Sequence, residues 1–90
     1  MLAKKTAIIT GGARGVGFSI AQKLVDLDYR VVICSRTSSE IRSAVKILNK
    51  GEKKSYGLKA DISQFSECKR LFEFARRKLG SVEVLINNAG

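Results

Sequence analysis

The sequence lacks any apolar run long enough to cross a membrane. Its apolar runs span only a few residues, whereas a membrane-spanning helix needs about 20 consecutive apolar residues. The first residues, Met1-Leu2-Ala3-Lys4-Lys5, lead directly into a strand-like segment and do not form a signal-peptide pattern. We therefore expect a cytoplasmic protein with no membrane partner.

Cysteine is also scarce. Cys34 and Cys68 are too few for a disulfide framework and lack the spacing of metal ligands. Isolated cysteines of this kind are usually buried as small apolar groups in a reducing compartment. We therefore expect two buried thiols, no disulfide and no metal site.

Acidic residues are outnumbered by basic ones, 8 to 17, which gives a formal net charge of +9. A basic balance can indicate a nucleic-acid partner. Here the basic residues are spread along the chain, and the densest groups, Lys53-Lys54 and Arg76-Arg77-Lys78, are short and free of aromatic residues. Solvated helix faces explain most of this charge, so we expect no nucleic-acid partner. A steep fall of nucleic-acid affinity with rising salt concentration would support the alternative, a nucleic-acid-binding protein.

The most informative segment is a glycine-rich turn, Thr10–Gly17, directly after the apolar run Ala7-Ile8-Ile9. Glycine reaches backbone angles closed to other residues and leaves no side chain in the way. A phosphate can therefore approach the main chain, where the first amides and the dipole of the next helix favour negative charge. The segment predicts a buried strand, a phosphate-binding turn and a helix in succession.

The glycine spacing does not match a general phosphate motif letter for letter. From Gly11 to Gly17 it is G-x-x-x-G-x-G, which differs from the dinucleotide pattern G-x-G-x-x-G. A P-loop frame, G-x-x-x-x-G-K-S/T, fits from Gly12 to Ser19, but Phe18 stands where the phosphate-binding lysine is required. Nucleoside triphosphate chemistry is therefore poorly supported.

Hydrophobic periodicity predicts four strands that alternate with three helices. The strands are expected at about Thr6–Thr10, Val31–Cys34, Ser55–Ala60 and Val82–Ile86. The helices are expected at about Gly15–Asp28, from a capping box of Thr37 and Glu40 to Gly51, and from a Ser63 cap to Gly80. This order predicts an α/β fold with a Rossmann-like, doubly wound parallel sheet of strand order 3-2-1-4, ending after the fourth strand. Ligands of such sheets bind outside the carboxyl ends of the strands.

Each helix is expected to bury one apolar stripe. The first stripe comprises Val16, Ile20, Ala21, Leu24 and Leu27. The second comprises Ile41, Ala44, Val45 and Leu48, and the third comprises Phe65, Cys68, Leu71, Phe72, Ala75 and Leu79.

Two motifs stand at the carboxyl ends of predicted strands: Thr10-Gly11-x-x-x-Gly15-x-Gly17 and Asn87-Asn88-Ala89-Gly90. Together they resemble the amino-terminal half of the short-chain dehydrogenase/reductase family, in which Asp61 would stand at the adenine-contacting position. The resemblance covers essentially the whole chain. It identifies residues 1–90 as the amino-terminal part of an NAD(P)-binding Rossmann domain.

The resemblance implies a set of cofactor-binding residues. The turn Gly11-Gly12-Ala13-Arg14-Gly15-Val16, completed by Gly17, would wrap the pyrophosphate and the nearby ribose. Asp61 and Ile62 would border the adenine, and Asn88, Ala89 and Gly90 would line the ribose on the way to the nicotinamide. Asn87 is expected to tie neighbouring backbone together. Two plainer interpretations stay open, that the glycines serve only helix–strand packing and that Asp61 is only a turn former.

The end of the second strand indicates which cofactor is bound. A dinucleotide fold that selects NAD usually has an acid there for the ribose 2′-hydroxyl, whereas this chain has Cys34-Ser35-Arg36-Thr37. Arg36 and, from the glycine turn, Arg14 are forked donors suited to phosphate. The sequence therefore predicts NADP(H) in preference to NAD(H), with Arg14, Ser35, Arg36 and Thr37 around one pocket. The alternative is that both arginines point into water.

The family's catalytic Tyr-x-x-x-Lys pair is not found, because Ile33 stands four residues after Tyr29 and Ala60 stands four residues after Tyr56. No catalytic residue is named. The expected function is that of an NADP(H)-dependent short-chain oxidoreductase, which transfers a hydride between the nicotinamide and a small-molecule carbonyl or alcohol substrate. The sequence from Gly12 to Gly17 resembles that of family members which reduce 3-oxoacyl carrier-protein thioesters. The alternative is a non-catalytic module that senses NADP(H). We also expect the full-length protein to be a homo-oligomer.

Overall fold

A computed structural model describes residues 5–88 as four strands alternating with three helices. The strands are β1 (Thr6–Thr10), β2 (Arg30–Ser35), β3 (Ser55–Lys59) and β4 (Val84–Asn87). The helices are α1 (Gly15–Asp26), α2 (Ser38–Asn49) and α3 (Phe65–Leu79). No described helix is both long and apolar enough to span a bilayer.

The four strands form one parallel sheet in the order β3-β2-β1-β4, which confirms the predicted topology. In its register, Thr10 at the end of β1 pairs with Cys34 on one side and with Asn87 on the other. The glycine turn and the ends of β2 and β4 therefore meet at one edge of the sheet. This is the edge where doubly wound sheets bind ligands.

Helices pack on both faces of the sheet. Successive residues of β1 point to opposite sides, so Ile9 packs in a cluster with Ala21 of α1 and Leu48 of α2, while Ile8 packs in a second cluster with Leu71 of α3. All five residues of β1 are buried. The unbroken apolar character of the central strands follows from this two-sided cover.

The predicted stripes of α1 and α3 are partly wrong. Val16 is 70% exposed and Phe65 is 85% exposed, and Leu27 and Phe72 are also exposed. In α1 the predicted Ala21 is buried together with Gly17 and Val25, and the predicted Ile20 and Leu24 are half-buried against the core. In α3 the predicted Leu71, Ala75 and Leu79 are buried. Buried residues thus recur at every fourth position of α1 and α3, and the exposed apolar residues lie on other sides of these helices. The stripe of α2 is confirmed by the burial of Ile41, Ala44 and Leu48, with Val45 half-buried.

Two of the predicted helix caps do not form. Thr37 is the N-cap residue of α2, but its side chain makes no cap bond. In place of the reciprocal bond between them, the Thr37 amide donates to the Ser35 hydroxyl, and the Glu40 side chain accepts from that hydroxyl. The N-cap residue of α3 is Gln64 and not Ser63, because the Asp61 carboxylate accepts hydrogen bonds from both the amide and the hydroxyl of Ser63.

The ends of the helices are closer to the predictions. Gly80 is the C-cap residue of α3, as predicted. The second helix ends at Asn49, and both Lys50 and Gly51 then adopt positive φ angles. Helix α1 ends at Asp26, two residues before the predicted end.

Candidate cofactor-binding site

A pocket of about 690 Å³ lies at the carboxyl edge of the sheet. It is lined by Gly11, Ala13, Arg14, Gly15, Cys34, Ser35, Arg36, Thr37, Glu40, Ala60, Asp61, Ile62, Ser63, Asn87 and Asn88. The structure thus brings together residues from the ends of all four strands. Of the sequence-predicted site residues, Gly12, Val16 and Gly17 do not line the pocket, and Ala89 and Gly90 lie outside the described residues.

The glycines of the turn fall into two groups. Gly11 and Gly15 line the pocket and have positive φ angles of 66° and 61°, which L side chains rarely adopt. A Cβ atom at Gly15 would meet no protein atom within 4 Å. Gly12 and Gly17 are buried, and a Cβ atom at either would overlap protein atoms, from Ile33 at Gly12 and from the Gly11 carbonyl at Gly17. The first group leaves the pocket open, and the second lets the turn pack closely on the sheet.

The amino terminus of α1 faces the pocket through Gly15. The first amides of an α-helix have no partner within the helix. Arg14 is the N-cap residue, its side chain makes no cap bond, and the first turn holds no acidic residue. The helix dipole and these amides therefore present positive potential to the pocket, which suits an anion such as a pyrophosphate.

Hydrogen bonds join the glycine turn to the end of β4. The Asn88 amide donates to the Thr10 hydroxyl at 2.8 Å, and the Thr10 hydroxyl lies 3.1 Å from Oδ1 of Asn87. The side-chain amide of Asn88 also donates to the Gly11 carbonyl at 3.5 Å. Among residues 5–88, the Asn88 side chain thus bonds to backbone and the Asn87 side chain contacts the Thr10 hydroxyl. These hydrogen bonds fix the position of the glycine turn relative to β4.

The pocket wall at the end of β2 carries the predicted cationic groups together with an acid that the sequence reasoning did not assign to the site. Arg14, Ser35, Arg36 and Thr37 all line the pocket. Glu40 lines it too, with Oε2 at 3.5 Å from Nη1 of Arg14 and Oε1 accepting from the Ser35 hydroxyl at 3.4 Å. Glu40 was assigned to a capping box. Its place in the first turn of α2, directly after the pocket residues Ser35, Arg36 and Thr37, is the signal in the sequence that could have assigned it to the same pocket.

Asp61 and Ile62, which the resemblance would place beside the adenine, form the pocket wall beyond β3. The pKa of the Asp61 carboxyl is held below its ordinary value, first by the hydrogen bonds from the side chain and amide of Ser63 and also by the charge of Arg36. Asp61 is therefore a turn former whose carboxylate also faces the pocket. Both interpretations of this residue agree with its geometry.

The two cysteines are free. Cys34 lies at the floor of the pocket and is fully buried, and this burial raises the pKa of its thiol although a backbone hydrogen bond from Gly11 acts in the opposite direction. Cys68 is only half-buried and donates to the Ile62 carbonyl at 3.1 Å. The prediction of a buried thiol is thus confirmed for Cys34 only. Among residues 5–88 no group of three or more His, Cys, Asp or Glu residues could hold a metal ion.

Proteins similar to this chain include several that are named as reductases. The family model of short chain dehydrogenases matches residues 5–90. The chain is 36% identical over 92 residues to chlorophyll(ide) b reductase NOL of Oryza sativa subsp. japonica, a match that covers all of this chain and 27% of the relative. It is 40% identical over 88 residues to the 3-oxoacyl acyl-carrier-protein reductase FabG of Buchnera aphidicola, which covers 97% of this chain and 35% of that protein.

Solved structures agree with these matches. A variant of actinorhodin polyketide ketoreductase, determined with NADPH, has a TM-score of 0.91 and 31% identity over 97% of this chain and 33% of its own. A short chain dehydrogenase/reductase from Burkholderia phymatum, determined in complex with NAD, has a TM-score of 0.92 and 29% identity over 97% of this chain and 31% of its own. The chain belongs to the short chain dehydrogenase family. It spans between a quarter and about a third of the length of the two relatives named above.

Proposed function

We propose that residues 1–90 are the amino-terminal part of the cofactor-binding domain of an oxidoreductase that uses NADP(H) in preference to NAD(H). The observation that carries this proposal is the continuity of one pocket from the amino terminus of α1 to Arg14, Ser35 and Arg36. A pyrophosphate fits the helix terminus, and the two guanidinium groups suit a 2′-phosphate. Relatives with this fold have been determined with NADPH and with NAD, so the family alone does not decide between the cofactors.

The residues of this chain would bind and orient the cofactor. When bound, the nicotinamide supplies the hydride chemistry. The open space at Gly15 leaves room for the pyrophosphate beside the main chain. Asp61 and Ile62 would border the adenine, and Asn88, which the Thr10 and Gly11 contacts hold in place, would line the ribose.

We propose a carbonyl or alcohol as the substrate, with a 3-oxoacyl thioester as the particular candidate. The amino-acid sequence of the glycine turn and the 40% identity to the reductase FabG of Buchnera aphidicola support this candidate. No catalytic residue is assigned to this chain.

Arg36→Asp tests the cofactor preference. In the whole protein, this change should weaken NADPH binding far more than NADH binding, because it replaces a phosphate donor by a repelling charge. Loss of a charge-assisted hydrogen bond costs about 1.5–3 kcal/mol, which corresponds to roughly a ten- to hundredfold weaker affinity. Fluorescence titration with each cofactor measures the two dissociation constants.

Arg42→Asp is the matched control, because Arg42 lies in α2, is exposed and does not line the pocket. It makes the same change of charge and should leave the ratio of the two affinities unchanged. An equal loss for NADPH and NADH in Arg36→Asp would contradict the assignment of a 2′-phosphate site.

A further inference from the structure

Glu40 engages two of the groups assigned to the 2′-phosphate. It stands in the first turn of α2, and its side chain is 32% exposed. One carboxylate oxygen lies 3.5 Å from the Arg14 guanidinium, and the other accepts a hydrogen bond from the Ser35 hydroxyl at 3.4 Å. A single anion of the protein therefore contacts two of the donors that a phosphate in this pocket would use.

The other acid of the pocket does not share this position. Asp61 also lines the pocket, but its carboxylate accepts from the amide and hydroxyl of Ser63 at 3.0 and 2.7 Å. Among the described residues, the remaining ion pairs join Glu52 to Lys54 and Glu67 to Arg70, and none of these four residues lines the pocket. Glu40 is thus the carboxylate that faces Arg14.

We propose that Glu40 is a specificity-determining residue whose carboxylate competes with the cofactor's 2′-phosphate for Arg14 and Ser35. A carboxylate and a phosphate are both acceptors for a guanidinium, and two anions at one site repel each other. Binding of NADP(H) then requires that Arg14 exchange one anion for another, whereas NAD(H) has a hydroxyl in place of the 2′-phosphate and so places no anion beside Arg14 and Ser35. Glu40 would therefore lower the preference for NADP(H) over NAD(H). This inference rests on the proposed function.

Glu40→Gln is the informative change, because it removes the charge and keeps an oxygen that can accept from Ser35. In the whole protein, NADPH and 2′,5′-ADP, which carries the phosphate without the nicotinamide, should each bind roughly three- to fivefold more tightly. This is the upper end of what an ion pair with an exposed partner contributes, since the Arg14 side chain is 83% exposed. NADH affinity should stay within about twofold of wild type on the same grounds. Glu52→Gln, which removes an equal charge away from the pocket, should change none of the three affinities.

A double-mutant cycle with Arg14→Gln locates the effect. If the competition acts through Arg14, the gain caused by Glu40→Gln should fall below about twofold once Arg14 is neutral, because coupled residues are not additive. Thermal unfolding of every variant shows that differences in affinity do not reflect misfolding.

The outcomes separate this inference from the proposed function. Weaker NADPH binding in Glu40→Gln would mean that Glu40 positions Arg14 for the phosphate. Weaker binding of NADH alone would mean that Glu40 contacts the ribose. Either result would overturn the proposed competition between Glu40 and the 2′-phosphate. A wild type that binds NADPH selectively through Arg36 but shows no response to Glu40→Gln would overturn this inference only. A wild type that binds neither cofactor would overturn the proposed function as well.

Discussion

Gly15 and Gly17 belong to one sequence motif but answer different physical requirements. Gly17 is needed because a Cβ atom there would overlap the Gly11 carbonyl oxygen and crowd the Asn88 amide. Gly15 is needed for its positive φ, and the space beside it is open. The spacing in the sequence predicted the turn, but it did not show which glycine borders the pocket, since that depends on how α1 sits against β1 and β4.

Gly15→Val should abolish cofactor binding, because a branched side chain would fill the space next to the main chain. Both this variant and Gly51→Val place a branched residue at a positive φ, of 61° and 85° respectively, with no neighbouring atom within 4 Å. Each should therefore lose about 1–3 kcal/mol of stability from backbone strain. Only the change at Gly15 should remove NADPH binding, as measured by titration of the folded variants. Normal binding by a folded Gly15→Val protein would assign the turn to packing alone.

At the scale of elements, the connection between α2 and β3 depends on one side chain that the sequence analysis did not single out. Oδ1 of Asn49 accepts hydrogen bonds from the Lys54 amide, the Ser55 amide and the Ser55 hydroxyl at 2.9, 2.7 and 2.8 Å. Ser55 is completely buried. The periodicity of the sequence placed Ser55 at the start of a strand, but a bond between a helix end and a strand start arises only after both have folded.

Asn49→Ala should destabilise the whole protein by about 2–4 kcal/mol, because two buried donors of Ser55 lose their acceptor. Asn49→Asp keeps an oxygen acceptor at the same place and should recover most of this loss. Urea unfolding of the three proteins measures the difference. If Asn49→Asp is as unstable as Asn49→Ala, the acceptor network is not what stabilises this connection.

The start of α3 should show a pH-dependent contribution to stability. Hydrogen bonds from Ser63 hold the pKa of the Asp61 carboxyl below its ordinary value. A group whose pKa is lowered in the folded state stabilises that state above its unfolded pKa, and the contribution is lost as pH falls through the folded pKa. Wild type should therefore exceed Asp61→Asn in stability at neutral pH, and the difference should shrink below about pH 4.

Urea unfolding at a series of pH values tests this expectation. Asp26→Asn, at an exposed carboxylate of α1, is the control for the removal of one negative charge. A difference between wild type and Asp61→Asn that stays constant from neutral to strongly acid pH would contradict the assignment of the pH dependence to Asp61.

At the scale of the whole molecule, the topology was predicted well from the sequence, because topology depends on the order and type of the elements. Hydrophobic periodicity indicates the type of each element, and glycines mark where elements end. The strand order β3-β2-β1-β4 is an example. Predictions that depend on how helices rotate against the sheet were less accurate. Phe65 and Val16 fit a helical stripe in the sequence, yet both are strongly exposed because the buried faces repeat at every fourth residue.

The same arrangement leaves one face of β4 poorly covered. Leu85 pairs with the fully buried Ile8 in the parallel register, so both point to the face that carries α3, yet Leu85 is 50% exposed. Val84 and Ile86, on the opposite face, pack against the cluster that includes α1. An exposed apolar strand that is paired on one side only is prone to edge-to-edge association.

A polypeptide of residues 1–90 should therefore associate through β4, and Leu85→Lys should reduce that association. The lysine places a charge on this edge strand, which disfavours its edge-to-edge pairing with a strand of another molecule. Ser66→Lys is the matched control, because it adds the same charge at an exposed position of α3. Size-exclusion chromatography with light scattering should show a larger monomer fraction for Leu85→Lys than for Ser66→Lys at equal concentration. If the unchanged polypeptide is monomeric and unfolds in one sharp transition, or if the two lysine variants behave alike, β4 is not the surface that drives association.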